Sequence, residues 1–223
     1  MPVEWVTFDC YGTLIDWERG IADALLPLLP RGADRRAVVE RYIEIEKEVE
    51  GGEYVTYRDV LDRSGRRLLA ERGRPLPDGA PSPLPGSLPS WPPFPEVPAA
   101  LRALRERGYR FAILSNVDRD LLAASIASIG VEPDLAVTAE DARSYKPARG
   151  HWREFQARTG AGADRTVHVA ASLYHDIRAA GAFGYRTVWI ARRIEPLRGA
   201  DPTRILEDLS RLPDTIDELA RPG

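Results

Sequence analysis

Reactive side chains fall in four loops of this chain, each placed after an apolar run. Asp9 closes "VEWVTFD" and is followed by a Gly12-Thr13 turn; Ser115 and Asn116 close "RFAILSN". Lys146 stands in "SYKPARGHW", after the weaker run "DLAVTAE", and Ser172 and Asp176 follow "TVHVAA". The set offers a carboxylate, a hydroxyl beside an amide, an ammonium and a second carboxylate. A lone acid at a strand end is as often structural as functional. The ordered set is a stronger signal, because open parallel sheets bind ligands beyond the carboxyl ends of their strands.

The elements that must position these groups follow from hydrophobic patterning. Residues 3–9, 110–116, 166–172 and 186–192 are short runs rich in β-branched and aromatic residues, with a fifth, weaker run at 134–140. Their hydrophobicity is continuous rather than alternating, which predicts strands covered on both faces, as in a parallel sheet. Helical patterns lie between them: "EVPAALRALRERG" ends at Gly108, and "DRDLLAASIASIG" is bracketed by Asp118 and Gly130. "HWREFQARTG" and "DIRAAGAFG" continue the alternation. The expected fold is α/β, a doubly wound, mostly parallel sheet. Residues 17–75 interrupt it with several helices and no strand, and 75–98 are dense in proline and glycine. The division that follows is a Rossmann-like core of residues 1–16 and 93–223. Residues 17–92 form an inserted helical cap with an ordered but irregular return segment.

The chain has 223 residues and a formal charge of −3. A near-neutral balance argues against nucleic-acid and anionic-membrane partners, whose binders carry basic patches. A single cysteine, Cys10, excludes an internal disulfide and suits a reducing compartment. No stretch approaches the roughly 20 apolar residues of a membrane span, and "MPVEWV" lacks the features of a signal peptide. These observations predict a cytoplasmic protein acting on a small molecule, as a monomer or homodimer.

"FDCYGTLID", "ILSN", "YKP" and "SLYHD" resemble the four motifs of the haloacid dehalogenase superfamily, over residues 3–16 and about 97–193. The helical insert after the first strand fits the same pattern, and the chain most resembles the L-2-haloacid dehalogenase-type branch. The resemblance implies that Asp9 is a nucleophile that displaces a halide and forms an aspartyl ester, which water then hydrolyses. It implies that Lys146 holds Asp9 ionised, Thr13 orients the Asp9 loop, Ser115 receives the substrate carboxylate and Asp176 places the water. Arg41, in "VVERYIEIEKE", with Asn116 would cradle the halide. Tyr11, Trp17, Trp152 and Tyr174 would line the pocket, with Ser172 and His175 beside the substrate and Tyr42, Ile45 and Tyr57 as apolar cap residues. Phosphatases of the superfamily carry a second acid two residues after the nucleophile, where Tyr11 stands, and bind Mg²⁺ through further acids, one of which is Ser172 here. A halide leaves without a proton, so the implied reaction needs neither that acid nor any cofactor.

Several positions depart from the branch. Ala171 and Leu173 replace its Ser-Asn pair, Trp152 replaces a tyrosine, and His175 adds a titratable group. His151 and His168 are expected to be structural, and Cys10 a small buried neighbour of the nucleophile. Two alternatives stand beside dehalogenation: a phosphatase holding Mg²⁺ through Asp9 and Asp176, and a catalytically silent binding protein on the same scaffold.

Overall fold

Six strands carry the core: β1 (Trp5–Phe8), β2 (Arg110–Ser115), β3 (Leu135–Thr138), β4 (Thr166–Ala170), β5 (Arg186–Ile190) and β6 (Arg204–Leu206). The computed structural model describes residues 3–193 and 195–221. Every neighbouring pair is parallel, in the order β3-β2-β1-β4-β5-β6. The sheet is thus parallel throughout, and β1 and β4 are buried along their whole length, which accounts for their unbroken hydrophobicity. β6, a short edge strand with two exposed residues, has no such pattern and was not among the expected strands.

Residues of alternating parity serve opposite faces. Val6, Phe8, Phe111 and Ile113 pack in one cluster with the helices α5 (Val97–Glu106), α6 (Arg119–Ile129) and α10 (Leu212–Ala220). Trp5, Ala112 and Leu114 face the other side, against α8 (Gly150–Thr159) and α9 (Arg178–Ala182). A short α7 (Ala139–Ala142) follows β3. The strand order reverses at β1, with β2 on one side and β4 on the other. The crevice at that switch point is where a doubly wound sheet receives its ligand, and Asp9 stands at its rim.

Between β1 and α5 lie α1 (Trp17–Leu25), α2 (Arg35–Glu50), α3 (Tyr57–Glu71) and the single turn α4 (Leu84–Ser87). Asp16, Asp34 and Thr56 cap the three longer helices by accepting a backbone N–H three residues on. The proline-rich return is ordered: Trp91 is buried, and the backbone of Pro92 and Phe94 pairs with Asp16 and Leu14 next to the nucleophile loop. Asp118 begins α6, yet gives its carboxylate to the cap, accepting the N–H groups of Tyr57 at 2.9 Å and Arg58 at 2.8 Å. These are two of the donors a helix start leaves unpaired. The Tyr145 hydroxyl donates to the carbonyl of Val55 at 2.7 Å, tying the cap down on its other side. No helix among the described residues is long and apolar enough to cross a membrane.

Candidate active site

Asp9 is 7% exposed, and both of its oxygens are engaged. Oδ1 accepts from the Lys146 ammonium at 2.8 Å and Oδ2 from the Thr13 hydroxyl at 2.9 Å. The Thr13 oxygen itself accepts the Ala171 N–H at 2.9 Å, so one hydroxyl joins the loops after β1 and β4. Gly12 makes the turn possible: its φ is +94°, and a Cβ there would lie 2.8 Å from the Trp17 indole nitrogen.

Lys146 is 1% exposed and uses all three donors, on Asp9 Oδ1, on Asp176 Oδ1 at 2.7 Å and on the Leu114 carbonyl at 2.8 Å. Asn116 fixes the lysine's backbone, accepting its N–H at 2.7 Å and donating to its carbonyl at 3.2 Å. His168, expected to be merely structural, supports the site. Its Nε2 meets Asp176 Oδ1 at 3.0 Å and its Nδ1 meets the Thr7 hydroxyl at 2.9 Å. The network assigns Nε2 as the protonated nitrogen, with Nδ1 accepting from Thr7. His151 bonds the Ser115 carbonyl at 3.0 Å, and burial together with the Lys146 charge holds its pKa down to about 4.

The two acids sharing one ammonium are not equivalent. Burial pushes the Asp9 carboxyl above its ordinary value, against the pull of Lys146, and the Asp176 charge adds to the rise. Burial acts on Asp176 too, but there Lys146 and His168 together outweigh it and hold the group well below the carboxylate range. The same two acids outweigh desolvation at Lys146 and raise its pKa. The arrangement is an ammonium held between two buried carboxyl groups of unequal acidity, at the floor of a cavity.

A cavity of about 320 Å³ opens over Asp9. Tyr11, Ser115, Asn116, Lys146, Ser172, Tyr174, His175 and Asp176 line it from the core, with Arg192 and Arg193 from the loop after β5. The cap contributes Trp17, Ile43, Glu46, Lys47, Glu50 and Tyr57. Ser115 is fully buried and its hydroxyl has no hydrogen-bond partner among the described residues. Tyr11 bonds Ser125 at 2.8 Å, and burial drives its phenol pKa well above the ordinary value, which disqualifies it as an acid at neutral pH. The Ser172 hydroxyl caps its own turn through the His175 N–H at 3.0 Å and meets His175 Nδ1 at 3.1 Å.

Two expected pocket residues lie elsewhere. Arg41 faces outward, bonded to Glu71 through two nitrogens at 2.8 Å and to Glu44 at 2.7 Å. Helix geometry gives the reason. At about 100° per residue, Glu50 is diametrically opposite Arg41, and Ile43 and Glu46 are about 200° and 140° away. Trp152 is fully buried on the far side of the sheet, with its ring 5.4 Å from His168 and 5.3 Å from Phe183. Of the apolar cap residues, Tyr57 lines the cavity, whereas Tyr42 and Ile45 are buried within the cap. Sequence reasoning missed Glu46, Glu50 and the Arg192-Arg193 pair. The i, i+4 spacing of the glutamates was visible, but it is also that of a solvated helix face.

The donor set does not suit a divalent ion. Mg²⁺ demands six oxygen ligands in near-octahedral order. Here the facing oxygens of Asp9 and Asp176 are bridged by the Lys146 ammonium, and Ser172 stands where a further acid would be needed. No cluster of three ligating side chains exists among the described residues.

Comparison with known proteins gives the chain its relatives. A haloacetate dehalogenase H-2 of a Moraxella species is 29% identical over 195 residues, 85% of this chain and 86% of that protein. An (S)-2-haloacid dehalogenase of a Pseudomonas species is 25% identical over 231 residues, covering 95% and 89%. The solved structure of the L-2-haloacid dehalogenase from Xanthobacter autotrophicus superposes with a TM-score of 0.86 at 19% identity, covering 98% of this chain and all of that one. The family model for haloacid dehalogenase-like hydrolases matches residues 3–184. The chain belongs to the haloacid dehalogenase-like hydrolase family.

Proposed function

We propose that this hydrolase removes halide from small 2-halo acids through an ester on Asp9, without a metal. The observation that carries the reading is the buried Asp9–Lys146–Asp176 array, in which an ammonium fills the place between the two acids. The names of the curated relatives support the leaving group. An Asp9 oxygen attacks the carbon bearing the halogen; the new C–O bond forms as the carbon–halogen bond breaks, and the halide leaves with the electron pair. It needs no proton, so the inert Tyr11 phenol costs the reaction nothing. Water oriented by Asp176 then attacks the Asp9 carbonyl carbon. The ester opens to the Asp9 carboxylate and a 2-hydroxy acid, and one proton is released per halide.

Lys146 keeps Asp9 ionised for the first step, and Thr13 prevents the carboxylate from rotating away. The Ser115 hydroxyl, buried without a partner, is suited to the substrate carboxylate. With Arg41 turned outward, the cations that line the cavity beyond Lys146 are Lys47, Arg192 and Arg193.

The test is release of chloride from chloroacetate and 2-chloropropionate, with and without EDTA, by the wild type and by Asp9→Asn. The expected result is halide release that EDTA leaves unchanged and the variant abolishes. A single turnover in heavy-oxygen water should label Asp9. EDTA-sensitive phosphate release from an aryl phosphate, without dehalogenation, would replace this reading with a phosphatase.

A further inference from the structure

We propose that the cap wall of the cavity is a subsite for a cationic nitrogen. On this view the preferred substrates are small halo acids whose other end carries an ammonium group, held by Glu46 and Glu50 against the rings of Tyr57 and Trp17. The substrate class rests on the Asp9 chemistry proposed above, whereas the subsite itself does not.

The charges around the cavity point to this ligand. Lys146 is taken by Asp9 and Asp176, Arg192 by Glu96 at 2.6 Å, and Arg193 by Glu18. Lys47 is exposed, with its ammonium 4.5 Å from the centre of the Tyr174 ring. His175 approaches Glu50 at 3.5 Å. Among the described residues, Glu46 and the exposed Glu195 are the cavity-lining carboxylates without an ion pair, and of the two only Glu46 stands on the cap wall. Its Oε1 accepts the phenols of Tyr57 at 2.7 Å and Tyr42 at 3.1 Å, and no hydrogen bond reaches Oε2 among the described residues. The phenols fix the carboxyl group and leave one oxygen free for a ligand.

The wall around it is aromatic. Trp17, Tyr11, Tyr57 and Tyr174 all line the cavity. Ring faces carry negative potential and attract ammonium groups, most strongly where water is excluded. A halo acid with a second anionic group would meet two carboxylates here. The buried, unpartnered Ser115 hydroxyl lines the same cavity and supplies a polar anchor for the ligand's other end.

Proton linkage gives a further signature. Burial and the Glu50 charge raise the Glu46 pKa to about 7, opposed by the two phenols and by His175. The groups facing Glu46 are therefore Tyr42 and Glu50 on its own helix, Tyr57 on α3 and His175 from the core. A bound cation favours the ionised carboxylate, so binding at neutral pH releases protons and tightens as pH rises.

The experiment titrates the whole protein with butylammonium and with 1-butanol, following the Trp17 indole resonance at pH 6 and pH 8. It also compares kcat/KM for 4-amino-2-chlorobutanoate with that for 2-chlorobutanoate. The expected result is at least a tenfold preference for the ammonium compound in both measurements, stronger binding at pH 8, and a preference below threefold in Glu46→Gln and Glu50→Gln. Equal affinity of the wild type for the amine and the alcohol overturns the subsite, and this outcome needs no variant to fold. A preference that survives both substitutions overturns it as well. Turnover of 2-chlorobutanoate with no cation preference sinks the subsite and leaves the Asp9 reading intact. Butylammonium binding without dehalogenation of either acid does the reverse.

Discussion

Replacing Lys146 with methionine removes the cation from the array and keeps most of the side-chain volume. At an effective dielectric of about 20, unit charges 2.7–2.8 Å apart attract by roughly 6 kcal/mol. Two such contacts are offset by repulsion between the acids and by the desolvation of three buried ions. Breaking a buried pair from one side costs about 3–5 kcal/mol in proteins. Proton uptake sets a ceiling here, because the variant can bind a proton on Asp9 instead of keeping two buried anions. From the ordinary value of 3.8, that protonation costs about 4 kcal/mol at pH 7 and about 2 kcal/mol at pH 5, at 1.36 kcal/mol per pH unit. Asp9 in the variant has a folded pKa raised above its unfolded one. The destabilisation is therefore absent below pH 3.8 and grows as pH rises. Urea unfolding at pH 5, 6 and 7 should show Lys146→Met losing about 4 kcal/mol at pH 7 and recovering roughly half of it by pH 5. Adding Asp176→Asn should restore most of the stability at pH 7 but no activity. A loss below about 1 kcal/mol, or one indifferent to pH, would refute the claim that this lysine compensates both acids.

Arg41→Ala should leave kcat/KM within twofold, since the side chain faces away from the cavity, and should cost under about 1 kcal/mol in thermal melts because its partners are partly exposed. Thr13→Val strands Asp9 Oδ2 and the Ala171 N–H; a stability loss of about 1–3 kcal/mol and a kcat decrease of about tenfold are expected from denaturation and steady-state assays. Burial disfavours a charged His175, but the hydrogen bond and charge of Glu50 outweigh it and raise the pKa. The His175–Glu50 tie is therefore present below the unfolded pKa and lost as pH rises through the folded one. The hydrogen-exchange protection factor at the C-terminal turn of α2, taken against the base-catalysed intrinsic rate, should fall above neutral pH in the wild type, and His175→Gln should flatten that dependence.

The sheet was legible because burial on both faces writes itself as unbroken apolar runs, and the motif residues lie at the ends of those runs. β6 left no trace: three residues at an exposed edge need no apolar face. Asp9, Lys146 and Asp176 meet as expected, since parallel strands bring their C-terminal loops to one side. The cap was less legible, because the rotation of α2 about its axis decides which residues reach the cavity. Tyr42 and Ile45 fill the cap interior; Arg41 and Glu46 flank that buried face on opposite sides, each about 70° from its centre, so only the seating of the helix over the core decides that Glu46 meets the cavity. Trp152 failed for a different reason. The expectation came from a tyrosine position in relatives, whereas the indole here fills space between His168 and Phe183.

The grip of Asp118 on the start of α3 has one more implication. Two residues before Asp118 is Asn116, which clamps the Lys146 backbone; directly before Lys146 is Tyr145, which holds Val55. Both strings that tether the lid run to the loops that aim the ammonium. The seating of the cap and the aim of the Lys146 ammonium are therefore mechanically joined, and a change that loosens one contact set strains the other.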